Sequence, residues 1–355
     1  MNETRKGERV GVGLSGGTDS AAAAMILLER GYEVVGYTML TTAESDEMVA
    51  KAAAVAEKLG IKHQTVDFRE SFTHDVLDAL VEGYANGLTP SPCVVCNRKL
   101  KFGALRQAMM ADGCNYVATG HYARLTHDAL GRIQLRRGFD KTKDQSYFLA
   151  QLTTDQLDNV IFPLGDRLNN DLKEMVKGLG IVPKDEAESQ DLCFVPNGGI
   201  GDFVAARKPS LRKDGWIVDL AGKQLGRHNG AFQYTPGQRR GLGLGGGPWF
   251  VVRTDMEANE VVVGHREELG VSKLQLTGMN WFVEPTWPVA CHAQVRYLMT
   301  PREATVYEDG TVEFKEPIDA APPGQLCAFF DGDLVMGSGW IACATAFGGS
   351  AMIND

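Results

Sequence analysis

The fold class is decided by one stretch near the start of the chain, Arg9-Val10-Gly11-Val12-Gly13-Leu14-Ser15-Gly16-Gly17-Thr18-Asp19-Ser20. Its first half is a short apolar run that predicts a buried strand, and the alanine-rich residues from Asp19 to Arg30 predict a helix that ends at Gly31. Two adjacent glycines between them allow a tight turn. A strand that turns directly into a helix is the repeating unit of α/β folds.

The same alternation continues through the first two hundred residues. We predict further strands at 33–39, 61–67 and 116–119, and further helices at 46–59, 72–85 and 100–111. Strands that are separated by helices of this length pair in parallel. The sequence therefore predicts a doubly wound parallel sheet.

The composition changes after about residue 204. Glycine becomes dense at 237–247, and short alternating runs replace helices. From about residue 271 only strand and turn signals remain, among them the hairpin turn Asp309-Gly310 and a closing pair of strands at 334–341. We expect three domains: an α/β domain over 1–203, a small linking domain over 204–270 and an antiparallel β-barrel over 271–355.

Overall composition excludes several classes of protein. The chain has 355 residues, of which 44% are hydrophobic and 23% are charged, so it is neither disordered nor fibrous. No apolar run approaches the length of a membrane span, and no signal peptide is recognisable. Seven cysteines in a chain of this size indicate thiol or metal chemistry in a reducing compartment, so we expect a cytosolic protein. The net charge of −9 argues against a globally basic nucleic-acid binder but allows a local basic face.

The glycine-rich turn is a candidate phosphate-binding loop. Amides at a helix N-terminus bind anions, and the hydroxyls of Ser15 and Ser20 are further donors. No Gly-Lys-Ser/Thr sequence ends the loop, so it is not a Walker A motif. The alternative is a plain turn with Asp19 as the helix N-cap. The pattern resembles the PP-loop ATP pyrophosphatases, which cleave ATP to AMP and pyrophosphate and adenylate an oxygen of their substrate.

A pair of cysteines carries the second chemical signal. Cys93 and Cys96 follow two stiffening prolines, and we place Cys96 just before a helix start, with Arg98, Lys99 and Lys101 nearby. Helix N-termini and cations stabilise a nucleophilic thiolate. The alternative is half of a structural zinc site, but no second Cys-x-x-Cys or close histidine pair completes one. Taken alone, the other cysteines are expected to be small buried residues: Cys114, Cys193, Cys291, Cys327 and Cys343.

Taken together, these segments closely resemble the bacterial tRNA-specific 2-thiouridylase family over nearly the whole chain. The resemblance rests on eight separated segments in order: Ser15–Ser20, Cys96-Asn97 with Lys101-Phe102, Ala118–Tyr122, Lys143–Leu149, Ser189–Phe194, Tyr234–Leu242, Arg296-Tyr297 and Pro323–Gln325. It implies ATP- and Mg²⁺-dependent replacement of the 2-oxygen of the wobble uridine by sulfur, in tRNAs for lysine, glutamate and glutamine. It also implies that 1–203 is the nucleotide-binding and catalytic domain and that 204–270 contacts tRNA.

The resemblance also implies residue roles. Cys96 matches the nucleophile, and Cys193 matches the cysteine that receives a persulfide from a sulfur-relay donor protein or cysteine desulfurase and then forms a disulfide with Cys96. The positions that match the ATP site are Gly13, Leu14, Ser15, Gly16, Gly17, Thr18, Asp19, Ser20, Met39 and Gly120. The positions that match tRNA contacts are Ser91, Pro92, Cys93, His121, Lys143, Asp144, Gln145, Arg296, Tyr297 and Gln325.

One residue departs from the family pattern. Many members have an aspartate with a general acid/base role where this chain has Cys93. Either the thiol takes over that role imperfectly, or Cys93, Cys96 and Cys193 ligate a [4Fe–4S] cluster that carries the sulfur. Both alternatives remain open at this point.

Two basic stretches are candidates for an RNA surface. Residues 220–254 contain no Asp or Glu but five cations: Lys223, Arg227, Arg239, Arg240 and Arg253. A second basic run spans 132–143. Such stretches can bind phosphates, or they are simply solvated loops. Two other functions compete with tRNA thiolation: a PP-loop enzyme that amidates or ligates another acceptor, which needs no cysteine pair, and a nucleotide-gated RNA-binding protein without turnover.

Overall fold

The computed structural model describes residues 7–183, 192–195, 199–346 and 351–352. The strands, in chain order, are β1 (Arg9–Gly13), β2 (Glu33–Leu40), β3 (Lys62–Asp67), β4 (Tyr116–Ala118), β5 (Ala123–His127), β6 (Ile133–Arg137), β7 (Val160–Ile161), β8 (Gly215–Asp219), β9 (Gln224–His228), β10 (Phe250–Asp255), β11 (Glu260–Gly264), β12 (Val271–Trp281), β13 (Val289–Gln294), β14 (Arg302–Val306), β15 (Thr311–Ile318), β16 (Leu326–Asp331), β17 (Leu334–Ala346) and β18 (Ala351–Met352). The α-helices are α1 (Thr18–Glu29), α2 (Asp46–Leu59), α3 (Arg69–Phe72), α4 (Ala79–Ala85), α5 (Pro92–Cys96), α6 (Arg106–Ala111), α7 (Thr154–Leu157), α8 (Asn169–Gly178) and α9 (Ile200–Arg207). Two segments, Thr73–Asp78 and Asn97–Leu105, are π-helical.

The chain divides into two compact units. The first contains residues 1–76, 93–193 and 333–335, and the second contains 77–92, 194–332 and 336–355, in each case as far as these are described. The predicted domain boundaries at 203 and 270 remain predictions.

The first unit is built on a parallel sheet. Its strand order is β3-β2-β1-β4-β7, and every neighbouring pair is parallel. Four consecutive alanines of α1, Ala21 to Ala24, are completely buried in the core of this unit. Small side chains allow a helix to pack closely against a sheet, which explains the alanine-rich sequence. The predicted α/β fold is confirmed, and a hairpin that the sequence analysis missed, β5–β6, follows β4.

The predicted helix at 100–111 begins eight residues earlier than expected. A continuous helical segment runs through α5, the π-helical turns of Asn97–Leu105 and α6. Pro92 is its first residue, a position where proline costs no hydrogen bond. The prediction that Cys96 stands just before a helix start is therefore wrong, because this residue lies inside the helical segment.

The second unit contains two sheets. The linking sheet has the order β10-β11-β8-β9, and six strands in the order β12-β15-β14-β13-β16-β17 close into an antiparallel barrel through pairing of β12 with β17. The predicted linking domain and barrel are thus confirmed. The predicted strand pair at 334–341 is wrong, since these residues belong to the single strand β17. Its glycines serve close packing, because a Cβ at Gly337 would lie 2.5 Å from the backbone oxygen of Asn280.

No helix among the described residues is long and apolar enough to cross a membrane.

Candidate functional site

The glycine-rich turn joins β1 to α1 and packs tightly against α2. Gly16 has a positive φ of 79°, and a Cβ at this position would lie 2.5 Å from Cβ of Lys51 and 2.8 Å from the amide nitrogen of Ala52. A side chain would therefore strain the backbone and push the turn away from α2. The glycine is required by the geometry of the loop itself.

Hydrogen bonds within the loop leave the start of α1 without a side-chain cap. Ser20 Oγ accepts from the amide of Ser15 at 3.2 Å and donates to the carbonyl oxygen of Gly17 at 3.0 Å, so the hydroxyl braces the turn. The N-cap residue is Gly17, which has no side chain with which to cap the helix. The alternative in which Asp19 is the N-cap is therefore wrong. Uncapped amides at a helix start are suited to bind an anion such as phosphate.

Asp19, in the first turn of α1, is held by residues from two distant parts of the chain. The hydroxyl of Tyr122 donates to Asp19 Oδ1 at 3.0 Å, and the amide of Asn169 lies 3.4 Å from the same oxygen. Gly120 lies directly against the helix start, because a Cβ there would be 2.8 Å from the carbonyl carbon of Asp19. Met39 is half-buried near the end of β2, the strand beside β1. Asn169 was missed by the sequence analysis, and no spacing pattern in the sequence indicates it.

The thiols of Cys93, Cys96 and Cys193 lie within electrostatic range of one another and of the ammonium of Lys101. Burial raises the pKa of Cys96 to about 12, and the nearby Lys101 opposes this shift only in part. Burial also raises the pKa of the Cys93 thiol. The prediction that local cations hold Cys96 as a thiolate is wrong for this conformation, because desolvation outweighs them.

The three cations near Cys96 in sequence differ in their hydrogen-bond and ion-pair partners. Arg98 donates to Gln151 Oε1 at 2.8 Å, and Lys99 Nζ lies 3.3 Å from Asp75 Oδ1. Lys101 has no carboxylate partner in the part of the chain that is described. In a π-helix residue i is bonded to residue i+5, so the π-helical winding after Cys96 places Lys101 about one turn beyond it. An α-helical turn would direct a residue five positions along to the opposite face.

Cys93, Cys96 and Cys193 are free thiols. Within residues 7–183, 192–195 and 199–346, no three His, Cys, Asp or Glu side chains converge closely enough to hold an ion. The donor geometry therefore does not fit an iron–sulfur cluster. Cys193 is exposed, contrary to its expectation as a lone buried cysteine, whereas Cys114, Cys291 and Cys327 are buried as expected and Cys343 is half-buried. The residues Ser189, Gln190 and Asp191 beside it lie outside the described part of the chain.

The segment Thr119–Tyr122 connects the phosphate loop with the thiol-bearing helix. Gly120 and Tyr122 contact Asp19, as described above, while the ring of His121 packs 5.7 Å from that of Phe102, the residue after Lys101. His121 is buried, and its Nδ1 lies 2.8 Å from Thr119 Oγ1. Burial, with a smaller contribution from Lys101, holds its pKa well below the usual range, so His121 is neutral. One short segment thus joins both candidate centres.

Several residues that are predicted to contact tRNA form hydrogen bonds within the first unit. Asp144 is buried and accepts from Arg137 Nε at 2.6 Å and from the amides of Gly138 and Ser146. Gln145 Oε1 accepts from the amide of Tyr122 at 3.1 Å. Lys143 is half-buried. Asp144 and Gln145 therefore shape the loop that carries Lys143.

The predicted tRNA contacts that belong to the second unit differ in their exposure. Arg296 is exposed and Tyr297 half-exposed in a turn that is closed by a hydrogen bond from the amide of Met299 to the carbonyl oxygen of Arg296. Gln294 Nε2 donates to the same carbonyl at 3.0 Å, which fixes the turn. Ser91 and Pro92 are buried, and Gln325 is half-buried.

The two basic stretches differ in their partners. In the run 132–143, three cations are paired with carboxylates: Arg132 with Asp128, Arg137 with Asp144, and Lys141 with Asp333. In the stretch 220–254, Arg239 and Arg240 are exposed and have no ion pair within the described residues. The second stretch is therefore the stronger candidate for binding phosphates.

Comparisons with known proteins agree with this architecture. Residues 8–197 match the family model described as tRNA methyl transferase HUP domain, 201–265 match its PRC-barrel domain, and 271–341 match the aminomethyltransferase beta-barrel domain. Relatives named tRNA-specific 2-thiouridylase MnmA include those of Nostoc punctiforme and Magnetococcus marinus, each 42% identical, and that of Carboxydothermus hydrogenoformans, 40% identical. Each alignment covers 94% of this chain, and 99%, 99% and 97% of the respective relative. The chain belongs to the tRNA-specific 2-thiouridylase (MnmA) family.

Proposed function

We propose that the protein is a tRNA-uridine 2-sulfurtransferase, which uses ATP to replace the 2-oxygen of the wobble uridine with sulfur in tRNAs for lysine, glutamate and glutamine. The observation that carries the proposal is the segment Thr119–Tyr122, which contacts Asp19 of the phosphate loop and Phe102 of the thiol-bearing helix. Family membership supports the same activity. A nucleotide site and a thiol site joined in one domain suit a reaction that needs both.

In the first step the phosphate loop binds ATP, and the uridine 2-oxygen attacks the α-phosphorus. Pyrophosphate leaves, and the oxygen becomes part of an adenylate, a far better leaving group than a carbonyl oxygen. The uncapped amides at Gly17 to Ser20 stabilise the developing negative charge on the phosphates. The target uridine must be flipped out of the anticodon loop to reach this site.

The residues beside the loop fit a magnesium–nucleotide. Mg²⁺ prefers oxygen ligands and is usually bound through one or two carboxylates together with substrate phosphates. The Asp19 carboxylate lies beside Asn169, whose buried Oδ1 has no partner within the described residues. When bound, the ion neutralises charge on the departing pyrophosphate.

In the second step sulfur is transferred from Cys193. A sulfur-relay protein or cysteine desulfurase loads this residue with a persulfide, and its exposure leaves it accessible to such a donor. The terminal sulfur attacks carbon 2, and AMP departs. Cys96 then gives up its proton and its sulfur attacks Cys193 Sγ, the bond from Sγ to the transferred sulfur breaks, and a Cys96–Cys193 disulfide remains. An external dithiol reduces this disulfide before the next cycle.

The test follows both steps with unmodified tRNA, ATP and a persulfide donor. Pyrophosphate release and 2-thiouridine are measured for the wild type, Asp19→Asn, Cys96→Ser and the matched control Cys343→Ser. We expect Asp19→Asn to lose both products, Cys96→Ser to release pyrophosphate without forming 2-thiouridine, and the control to behave as wild type. An amidating or ligating enzyme would tolerate Cys96→Ser, and an RNA-binding protein without turnover would release no pyrophosphate. Either result would overturn the proposal.

A further inference from the structure

Asn169 is a buried side chain that does not serve its own helix. It is the first residue of α8 and is only 2% exposed, yet the N-cap residue of this helix is Leu168, which forms no side-chain cap. A buried amide group is costly unless its polar atoms are hydrogen-bonded. Its bonding partners therefore indicate why this residue type is needed here.

The donor atom of Asn169 is directed to the phosphate loop. Nδ2 donates to the hydroxyl oxygen of Tyr122 at 2.7 Å and lies 3.4 Å from Asp19 Oδ1, while the Tyr122 hydroxyl donates to that same Oδ1 at 3.0 Å. Tyr122 is 1% exposed, so water does not compete with these bonds. Donors that converge on one carboxylate oxygen fix its orientation, and hydrogen bonds to a charged acceptor are the stronger ones.

The acceptor atom of the same amide is unpaired. Asn169 Oδ1 is buried and finds no donor within the described residues. An unsatisfied buried acceptor is destabilising, and it persists where a ligand completes the site. The other end of this amide is bonded at Asp19, so the missing donor is expected from what binds at the loop.

We propose that Asn169 is a positioning residue of the nucleotide site. With Tyr122 it orients the Asp19 carboxylate, and its Oδ1 accepts a hydrogen bond from the hydration shell of magnesium-bound ATP. This inference rests on the proposed nucleotide site at Gly13–Ser20, and it extends that site to a residue 150 positions from Asp19.

The primary test measures binding without catalysis. The rise in thermal midpoint caused by ATP is recorded with Mg²⁺ and with EDTA, for the wild type, Asn169→Leu and Tyr122→Phe. Asn169→Leu keeps the volume but removes both polar atoms, and the neighbouring exposed Asn170→Leu is its matched control. We expect the Mg²⁺-dependent part of the rise to shrink in both variants and to be unchanged in the control. Pyrophosphate release should fall about 10- to 100-fold, the loss that follows from a misplaced reacting group.

A second variant keeps the test decisive if Asn169→Leu fails to fold. Asn169→Asp places a second carboxyl beside Asp19, and neighbouring carboxyls resist joint ionisation. The acid limb of the pH profile of pyrophosphate release should therefore move to higher pH.

Retention of the full Mg²⁺-dependent rise in Tyr122→Phe, or an unshifted profile in Asn169→Asp, would overturn the inference. If Asp19→Asn itself leaves pyrophosphate release intact, the nucleotide site is wrong rather than the role of Asn169. If an internal water alone satisfies Oδ1, the Asn169 and Asn170 variants will respond to Mg²⁺ equally, which also overturns the inference.

Discussion

The side-chain amide of Gln325 donates a 2.7 Å hydrogen bond to the carbonyl oxygen of Thr89, a residue 236 positions earlier in the chain. The same nitrogen lies 3.4 Å from the carbonyl oxygen of Pro90, and the amide of Thr89 donates to the carbonyl oxygen of Pro323 at 2.7 Å. These bonds clamp the segment that leads into Pro92 and helix α5. Gln325 therefore has a structural role beside the tRNA contact that the family resemblance implies.

Replacing Gln325 by Glu should loosen this segment more than replacing it by Ala. The carboxylate would face two carbonyl oxygens without a donor, whereas Ala loses only the bond, worth about 1 kcal/mol. Hydrogen–deuterium exchange at residues 88–92 should become faster, with exposed Gln224→Glu as the control. Unchanged exchange together with weaker tRNA binding would assign Gln325 to tRNA contact alone.

Reversing the charge of both Arg239 and Arg240 should weaken tRNA binding and flatten its dependence on salt. Each lost phosphate contact removes about one unit from the slope of log affinity against log salt concentration, so the double variant should lose about two. The matched control reverses Lys273 and Lys315, which are paired with Glu313 and Glu303 on the barrel. Equal slopes for both double variants would place the RNA surface elsewhere.

Replacing Lys101 by Met should make the thiols less reactive. Loss of the cation disfavours the thiolate and raises the pKa of Cys96 above its present value of about 12, and each unit lowers the thiolate fraction at a given pH tenfold. Alkylation rates of Cys93, Cys96 and Cys193 are measured between pH 7 and 10. Lys99→Met, whose ammonium is paired with Asp75, is the control and should leave the rates unchanged. Equal rates in the two variants would show that Lys101 does not act on the thiols.

Replacing Cys93 by Asp should preserve or increase 2-thiouridine formation. Burial raises the pKa of the Cys93 thiol, so it exchanges protons poorly at neutral pH, and a carboxylate is the group that the family resemblance implies at this position. We expect protein purified without oxygen to be colourless and active with a persulfide donor, and trapping should yield a Cys96–Cys193 disulfide. Brown protein with about four irons that are lost in Cys93→Ala would falsify this assignment in favour of a [4Fe–4S] cluster.

Sequence patterns predict those helices and turns whose conformation depends on residues that are adjacent in the chain. Helix α2 was predicted with its observed bounds because its sequence is helix-forming and Gly60 ends it with a positive φ of 66°. The hairpin turn at Asp309-Gly310 was found for the same reason, since Gly310 has a φ of 83°. The strand β17 was misread because its glycines relieve crowding from β12 rather than form a turn, and crowding between strands leaves no local signal.

The site could be predicted only as far as its residues follow one another in sequence. The phosphate loop and the Cys93–Cys96 pair are local motifs, so their chemistry was recognisable. Asn169 reaches Asp19 from another helix, and its role depends on packing alone. The π-helical winding that aligns Lys101 with Cys96 has no compositional signature either. Both features can be recognised only in the three-dimensional structure.

The clamp on Thr89 has a consequence for synthesis of the chain. Residues 77–92 belong to the second compact unit although the chain on either side of them belongs to the first. At about 5–20 residues per second, Gln325 leaves the ribosome roughly 10 to 50 s after Thr89. During this interval the segment before helix α5 has none of its partners from the barrel, whereas β4 and β7, the last two strands of the parallel sheet, both leave the ribosome within it. The newborn chain therefore contains every strand of its parallel sheet before Gln325 is available to hold the segment that leads into the thiol-bearing helix.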